Sequence, residues 1–126
     1  MQVTVKEVFN LNEGLNHIVN KELPVGVAFK LQRIIRVVSE EYKTAQNLRS
    51  KLVTKYKEKD LDNGIVQLKE DELEDFNKEL EELLAEKVNI NVKKIKISEL
   101  SSIHATPKTL GLIHNILIEK NEGEDQ

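Results

Sequence analysis

Between Pro24 and Lys57 no proline and, past Gly26, no glycine interrupts the chain. Over this stretch Leu31, Ile35, Val38, Tyr42, Ala45, Arg49, Leu52 and Tyr56 step alternately by four and three. That heptad rhythm predicts one long helix with an apolar seam. Arg49 is the polar member of the seam, and Leu48 beside it is expected to carry the contact there. At 1.5 Å per residue, about 33 residues make a helix roughly 50 Å long. Such a helix is long for a single domain of 126 residues, and its apolar stripe must be covered by other parts of the chain or by another molecule.

The segments on either side supply candidates for that cover. Thr4 and Glu7 have capping-box spacing, and Val3 and Val8 stand at the hydrophobic-staple positions around them. Val5, Val8, Phe9, Leu15, Ile18 and Val19 then place a first helix at about 5–20, weakened but not broken by Gly14. Leu23-Pro24 ends it and starts the long helix, because proline disfavours helical geometry before it and suits a first turn. After the long helix, Asn63-Gly64 predicts a tight turn with positive φ, and Ile65–Leu68 a short strand. Asp71 with Glu74 offers an N-cap pair for a third helix to about Lys87, with Leu73, Phe76, Leu80, Leu83 and Leu84 on its apolar face. Thr106-Pro107 caps a last helix carrying Leu110, Leu112, Ile113, Ile116 and Leu117.

Charge ties the second and third helices together. Residues 28–59 hold nine basic and three acidic side chains, a net of +6, and residues 70–86 hold nine acidic and one basic, a net of −8. Neighbouring helices of opposite sign with matching apolar seams predict an antiparallel, coiled-coil-like hairpin. The third helix spans only about half of the second, so the N-terminal half of the long helix needs the first or the last helix over it. The expected fold class is α+β, mainly α: a long antiparallel helical hairpin with flanking helices and a small β element. One domain over 1–120 and a flexible acidic tail at 121–126 are expected.

Val88-Asn89-Ile90-Asn91-Val92-Lys93-Lys94-Ile95-Lys96-Ile97 departs from helical spacing. Its apolar residues alternate, with a parity switch at Lys93-Lys94 where a bulge would return all five to one face. Its expected partner is 65–68, 2–5 (in competition with the first helix cap) or a strand of another molecule. The lysines suit a solvated edge protected against aggregation. Partner binding through the edge ranks second, and a phosphate track third, since no aromatic residue interleaves the lysines.

Composition removes several kinds of chemistry. The chain has no Cys and no Trp, three Phe and two Tyr, and a net charge of −3. Thiolate metal sites, disulfides and aromatic base-stacking platforms are therefore not expected. His17, His104 and His114 lack metal-type helical pairing. Ser98, Ser101 and Ser102 near His104 lack a nucleophile elbow and an orienting carboxylate. The glycines form no phosphate loop, and the acidic helix has no EF-hand pattern. No catalytic residue, metal or cofactor is assigned. Nothing at the N-terminus reads as a secretion signal, and no apolar run is long enough to span a membrane, so a cytoplasmic location is expected.

Three stretches carry a resemblance. "ELPVGVAFKLQRIIRVVSEEYKTAQNLRSKLVTKYKEKD", the Asn-Gly-Ile-Val turn and "EDELEDFNKELEELLAEKVNIN…IKISEL" resemble small uncharacterised proteins of phages and prophages in low-GC Gram-positive bacteria. The likeness covers roughly residues 20–105, and its motifs are structural rather than catalytic. It implies a phage-encoded accessory, either a virion or assembly component or a binder of a host protein, in the host cytoplasm or the virion.

The expected activity is protein–protein interaction with a protein partner or with itself. The candidate partner-binding residues are Asn63 and Gly64 at the hairpin tip and Val92, Lys93, Lys94 and Ile95 on the strand, with uncovered apolar surface on the long helix as a third mode. The rival expectation is a nucleic-acid-associated protein using Arg33, Arg36, Lys43, Lys51 and Lys55.

Overall fold

The computed structural model describes residues 1–119, so the expected acidic tail at 121–126 lies outside the described residues. The first strand runs directly into the first helix. β1 (Gln2–Thr4) leads into α1 (Val5–Ile18), and Thr4, extended at φ −86° and ψ 162°, is both the last strand residue and the N-cap. Its hydroxyl accepts from the Glu7 N–H at 3.1 Å, while its own N–H donates to the Glu7 carboxylate at 2.8 Å. Cap and strand do not compete here as the sequence suggests. They coexist because an N-cap residue already has β geometry.

The long helix forms as the heptads require. α2 (Val25–Tyr56) starts behind Pro24, whose carbonyl accepts from the Ala28 N–H at 2.9 Å. Leu31, Ile34 and Val38 of its N-terminal half are buried in one core with Val8, Leu11, Leu15 and Ile18 of α1. So α1 covers this half, while α4 (Pro107–Leu112) packs on α1. The helix ends at Tyr56, where β2 (Lys57–Asp60) continues the chain and pairs with β3 (Val66–Leu68). Between them Asn63 and Gly64 take the expected positive φ, 62° and 75°. The strand at 65–68 thus finds its partner in 57–60, a segment whose sequence reads only as the end of the helix. The Lys69 N–H closes the hairpin onto the Tyr56 carbonyl at 2.9 Å.

α3 (Leu73–Ala85) then returns antiparallel along the C-terminal half of α2. At one end Phe76 meets Tyr56 edge to face with ring centroids 5.8 Å apart, and at the other Leu83 lies beside Ala45 and Leu48. The start of α3 differs from expectation. A 3-10 turn at Glu70–Glu72 leads in, Glu72 holds the N-cap position, and no side-chain cap bond forms. Nor does Leu48 carry the seam at position 49. Leu48 is 47% exposed, and the Arg49 guanidinium instead stacks 4.6 Å over the Phe9 ring of α1.

The expected continuous strand over 88–97 is divided. β4 (Lys87–Asn89) pairs antiparallel with β1, and Met1 and Ile90 exchange backbone hydrogen bonds that extend the ladder. Residues 91–94 are irregular, and β5 (Ile95–Lys96) pairs in parallel with β6 (Leu117–Ile118). Ile90 and Ile95 are both in the core. Five residues apart, they would face opposite ways on one strand, so the chain turns over between them. No bulge returns Ile97 to the core face, and it is exposed. Thr106 caps α4 as expected, accepting from the Thr109 N–H at 3.1 Å. α4 is short, giving way to a 3-10 turn that seats Ile113 and Ile116 in the core before β6.

Candidate interaction surface

The turn-over of the chain at 91–94 leaves a groove beside the N-terminal half of α2. Successive turns of the helix present Phe29, Arg33, Arg36 and Val37 on one wall, and Asn91, Val92 and Lys93 form the other. The cavity measures about 590 Å3, and no acidic residue lines it. Phe29 is 59% exposed, with the Arg33 guanidinium 4.6 Å above its ring. Ile34, fully buried, closes the floor.

Four cations border this groove, and one of them is neutralised. Lys30 Nζ donates to both oxygens of Glu99 at 3.0 and 3.1 Å. The Lys96 backbone N–H, at 2.9 Å, and the Lys30 ammonium hold the Glu99 carboxyl below its ordinary value. Among the described residues, Arg33, Arg36 and Lys93 have no ion-pair partner. The result is a groove with an apolar floor, one aromatic ring on its wall and three uncompensated cations, two of them guanidinium forks. A segment carrying carboxylates around a bulky apolar side chain matches it in both respects.

The sequence-predicted residues distribute unevenly over this geometry. Val92 and Lys93, expected at a strand edge, meet Arg33 and Arg36, expected on a separate nucleic-acid face. Lys94 is exposed next to the groove. Ile95 is 1% exposed, a core residue that no partner reaches. Asn63 and Gly64 stand exposed at the far tip of the hairpin. Lys43 is exposed and lines neither this groove nor the one between α2 and α3. Lys55 donates to Glu79 at 2.9 Å, and Lys51 shares that second groove with Glu79, Glu82 and Glu86. The five basic positions therefore do not form one continuous track. Phe29, Lys30, Asn91 and Glu99 are absent from the residues that the sequence nominates. The Phe29–Arg33 pair has a readable signal, since residues four apart on a helix are neighbours.

The histidines and serines are accounted for locally. His17 Nδ1 is hydrogen-bonded to the buried Thr109 hydroxyl at 2.8 Å, and His114 Nδ1 to the Gly111 carbonyl at 2.8 Å. Ser101, Ser102 and His104 are exposed, and among the described residues no hydrogen bond joins them. Among the described residues no group of His or acidic side chains is gathered in metal-binding fashion, and no helix is long and apolar enough to cross a membrane. No protein-family model, curated protein or solved structure matches this chain.

Proposed function

We propose that this chain is a phage-encoded accessory protein that acts by binding another protein, without catalysis of its own. The groove between α2 and 91–93 is the recognition surface, and its ligand is an acidic segment with an apolar anchor. One observation carries this reading: Arg33, Arg36 and Lys93 line one groove together with a largely exposed Phe29, and no carboxylate lines it. Phenylalanine and arginine are both enriched in protein interfaces relative to the rest of a protein surface. Charge then steers the acidic partner to the groove.

Arg33, Arg36, Lys93 and Lys94 also favour nucleic acid as a second reading. It is weaker because Glu40 and Glu41 interrupt the basic residues along α2 and because Lys55 is already paired. Fluorescence anisotropy distinguishes the two. Labelled peptides combining Asp or Glu with a central Phe or Leu are titrated beside a basic control peptide and single- and double-stranded oligonucleotides. Saturable binding of the acidic peptides, lost in an R33E/R36E variant of native stability, is the expected result. Oligonucleotide binding that falls steeply with salt, with no peptide response, would replace the reading with the nucleic-acid one.

A further inference from the structure

The C-terminal half of α2 and the whole of α3 form a second surface, on the opposite half of α2 from the groove above. No residue of α3 is fully buried, although Phe76, Leu80, Leu83 and Leu84 form an amphipathic face. Leu48, Leu52 and Leu83 line the floor of a shallow groove between the two helices. It continues past Leu48 and Leu83 toward Val88 and β4. Its two banks carry opposite charge, with Lys51 and Lys55 on α2 against Glu79 and Glu82 on α3 and Glu86 at its C-cap. Among the described residues Lys51 and Glu82 make no ion pair, whereas Lys55 and Glu79 pair at 2.9 Å.

We infer that this face binds a second copy of the chain, giving a two-fold dimer in which α2 of each protomer lies on α3 of its partner. Two arrangements bring such a two-helix face onto a copy of itself. A two-fold axis across the helices sets α2 on α2 and α3 on α3, lysine against lysine and glutamate against glutamate. An axis parallel to the helices sets α2 on the partner's α3, and only this one is electrostatically complementary. Rotation about that axis leaves each residue at its own height. Lys51 therefore stands opposite the partner's Glu82, and Lys55 opposite the partner's Glu79, with the leucines enclosed between them. All adjacent helices are then antiparallel, as in a four-helix bundle.

Charge exchange between two variants of the full-length chain tests this, with mass read by sedimentation or light scattering at about 100 µM. The wild type is expected at twice the 14.5-kDa chain mass. Lys51→Glu and Glu82→Lys, both at exposed positions, should each weaken the dimer about tenfold, because two symmetric attractions become repulsions. Mixed in equal amounts, the two variants should recover a dimer. The carboxylate introduced at position 51 of one variant then faces the ammonium introduced at position 82 of the other, and the second contact is wild type. Recovery on mixing cannot come from a contact within one chain. A monomeric wild type, a dimer indifferent to both substitutions, or single variants that remain monomeric on mixing would each overturn the inference. Far-UV circular dichroism of each variant confirms that the helices are intact.

Discussion

A methyl group on Gly14 would stand 2.5 Å from Ile113 Cγ2 and 2.9 Å from Leu112 Cβ. Glycine in a helix interior costs about 1 kcal/mol relative to alanine, and on an isolated helix Gly14→Ala would be a gain. Here it drives α1 and α4 apart, and overpacking of this kind costs about 1–3 kcal/mol. A lower denaturation midpoint is expected, and an unchanged or higher one would show that α4 does not pack on α1 this closely. The same contrast between pattern and packing separates Ile95 from Val92. Ile95→Ala removes a core side chain and should cost about 2–4 kcal/mol. Val92→Ala, at a half-buried position on the groove wall, should cost about 1 kcal/mol or less, yet weaken acidic-peptide binding. Equal stability losses in the two would mean that Val92 belongs to the core rather than the binding surface.

The elements at the two ends of the chain are tied by one side chain. Glu7 caps α1 through the Thr4 N–H and also accepts from Asn115 Nδ2 at 2.6 Å. The Thr4 N–H first, then Asn115, hold its carboxyl below the ordinary 4.5. A depressed carboxylate contributes stability that is fully present above its unfolded value and is lost as pH falls through the folded one. The stability difference between wild type and Glu7→Gln should therefore be constant near neutrality and shrink as the pH drops below about 4.5. Denaturant titrations at several pH values read it, and a pH-independent difference would remove Glu7's carboxylate from this role. Thr4→Ala should cost about 1 kcal/mol through the same cap. This cap is legible in the sequence, as are the long helix, the Asn63-Gly64 turn and the charge-matched return helix, because each is written within a few residues of itself. The strand pairings are legible only in part: 2–5 is among the partners open to 88–97, but nothing in the sequence chooses it over 65–68, and the pairing of 95–96 with 117–118 is not visible. β4 and β5 pair with 2–4 and 117–118, segments whose local pattern suits a cap and a helix, and only tertiary packing selects the extended form. The groove is hidden for the same reason: Arg33 and Lys93 are brought together by the chain's turn-over at 91–94, which the parity switch at Lys93-Lys94 marks as an irregularity without saying that the chain changes sheets there.

At the scale of the whole molecule, burial is unevenly shared between the two halves of α2. Nearly all the core residues lie around its N-terminal half, in α1, β5, Ile90 and the C-terminal segment. The other half, with β2, β3 and α3, has Ala45 and Tyr56 as its buried apolar residues among those described. Segments with few buried apolar contacts open at a lower free-energy cost than the core they join. Native-state hydrogen exchange of the dilute protein should therefore release the amides of α3 and the β2–β3 hairpin first. Those of α1 and residues 27–38 of α2 should be held close to the global limit. Raising the protein concentration adds a discriminating dimension. A second copy on the α2–α3 face would slow exchange in α3 by mass action, while leaving α1 unchanged. Uniform exchange across both halves would instead mean that the hairpin opens only with the core, and that its half-exposed leucines already contribute all the stability this arm requires.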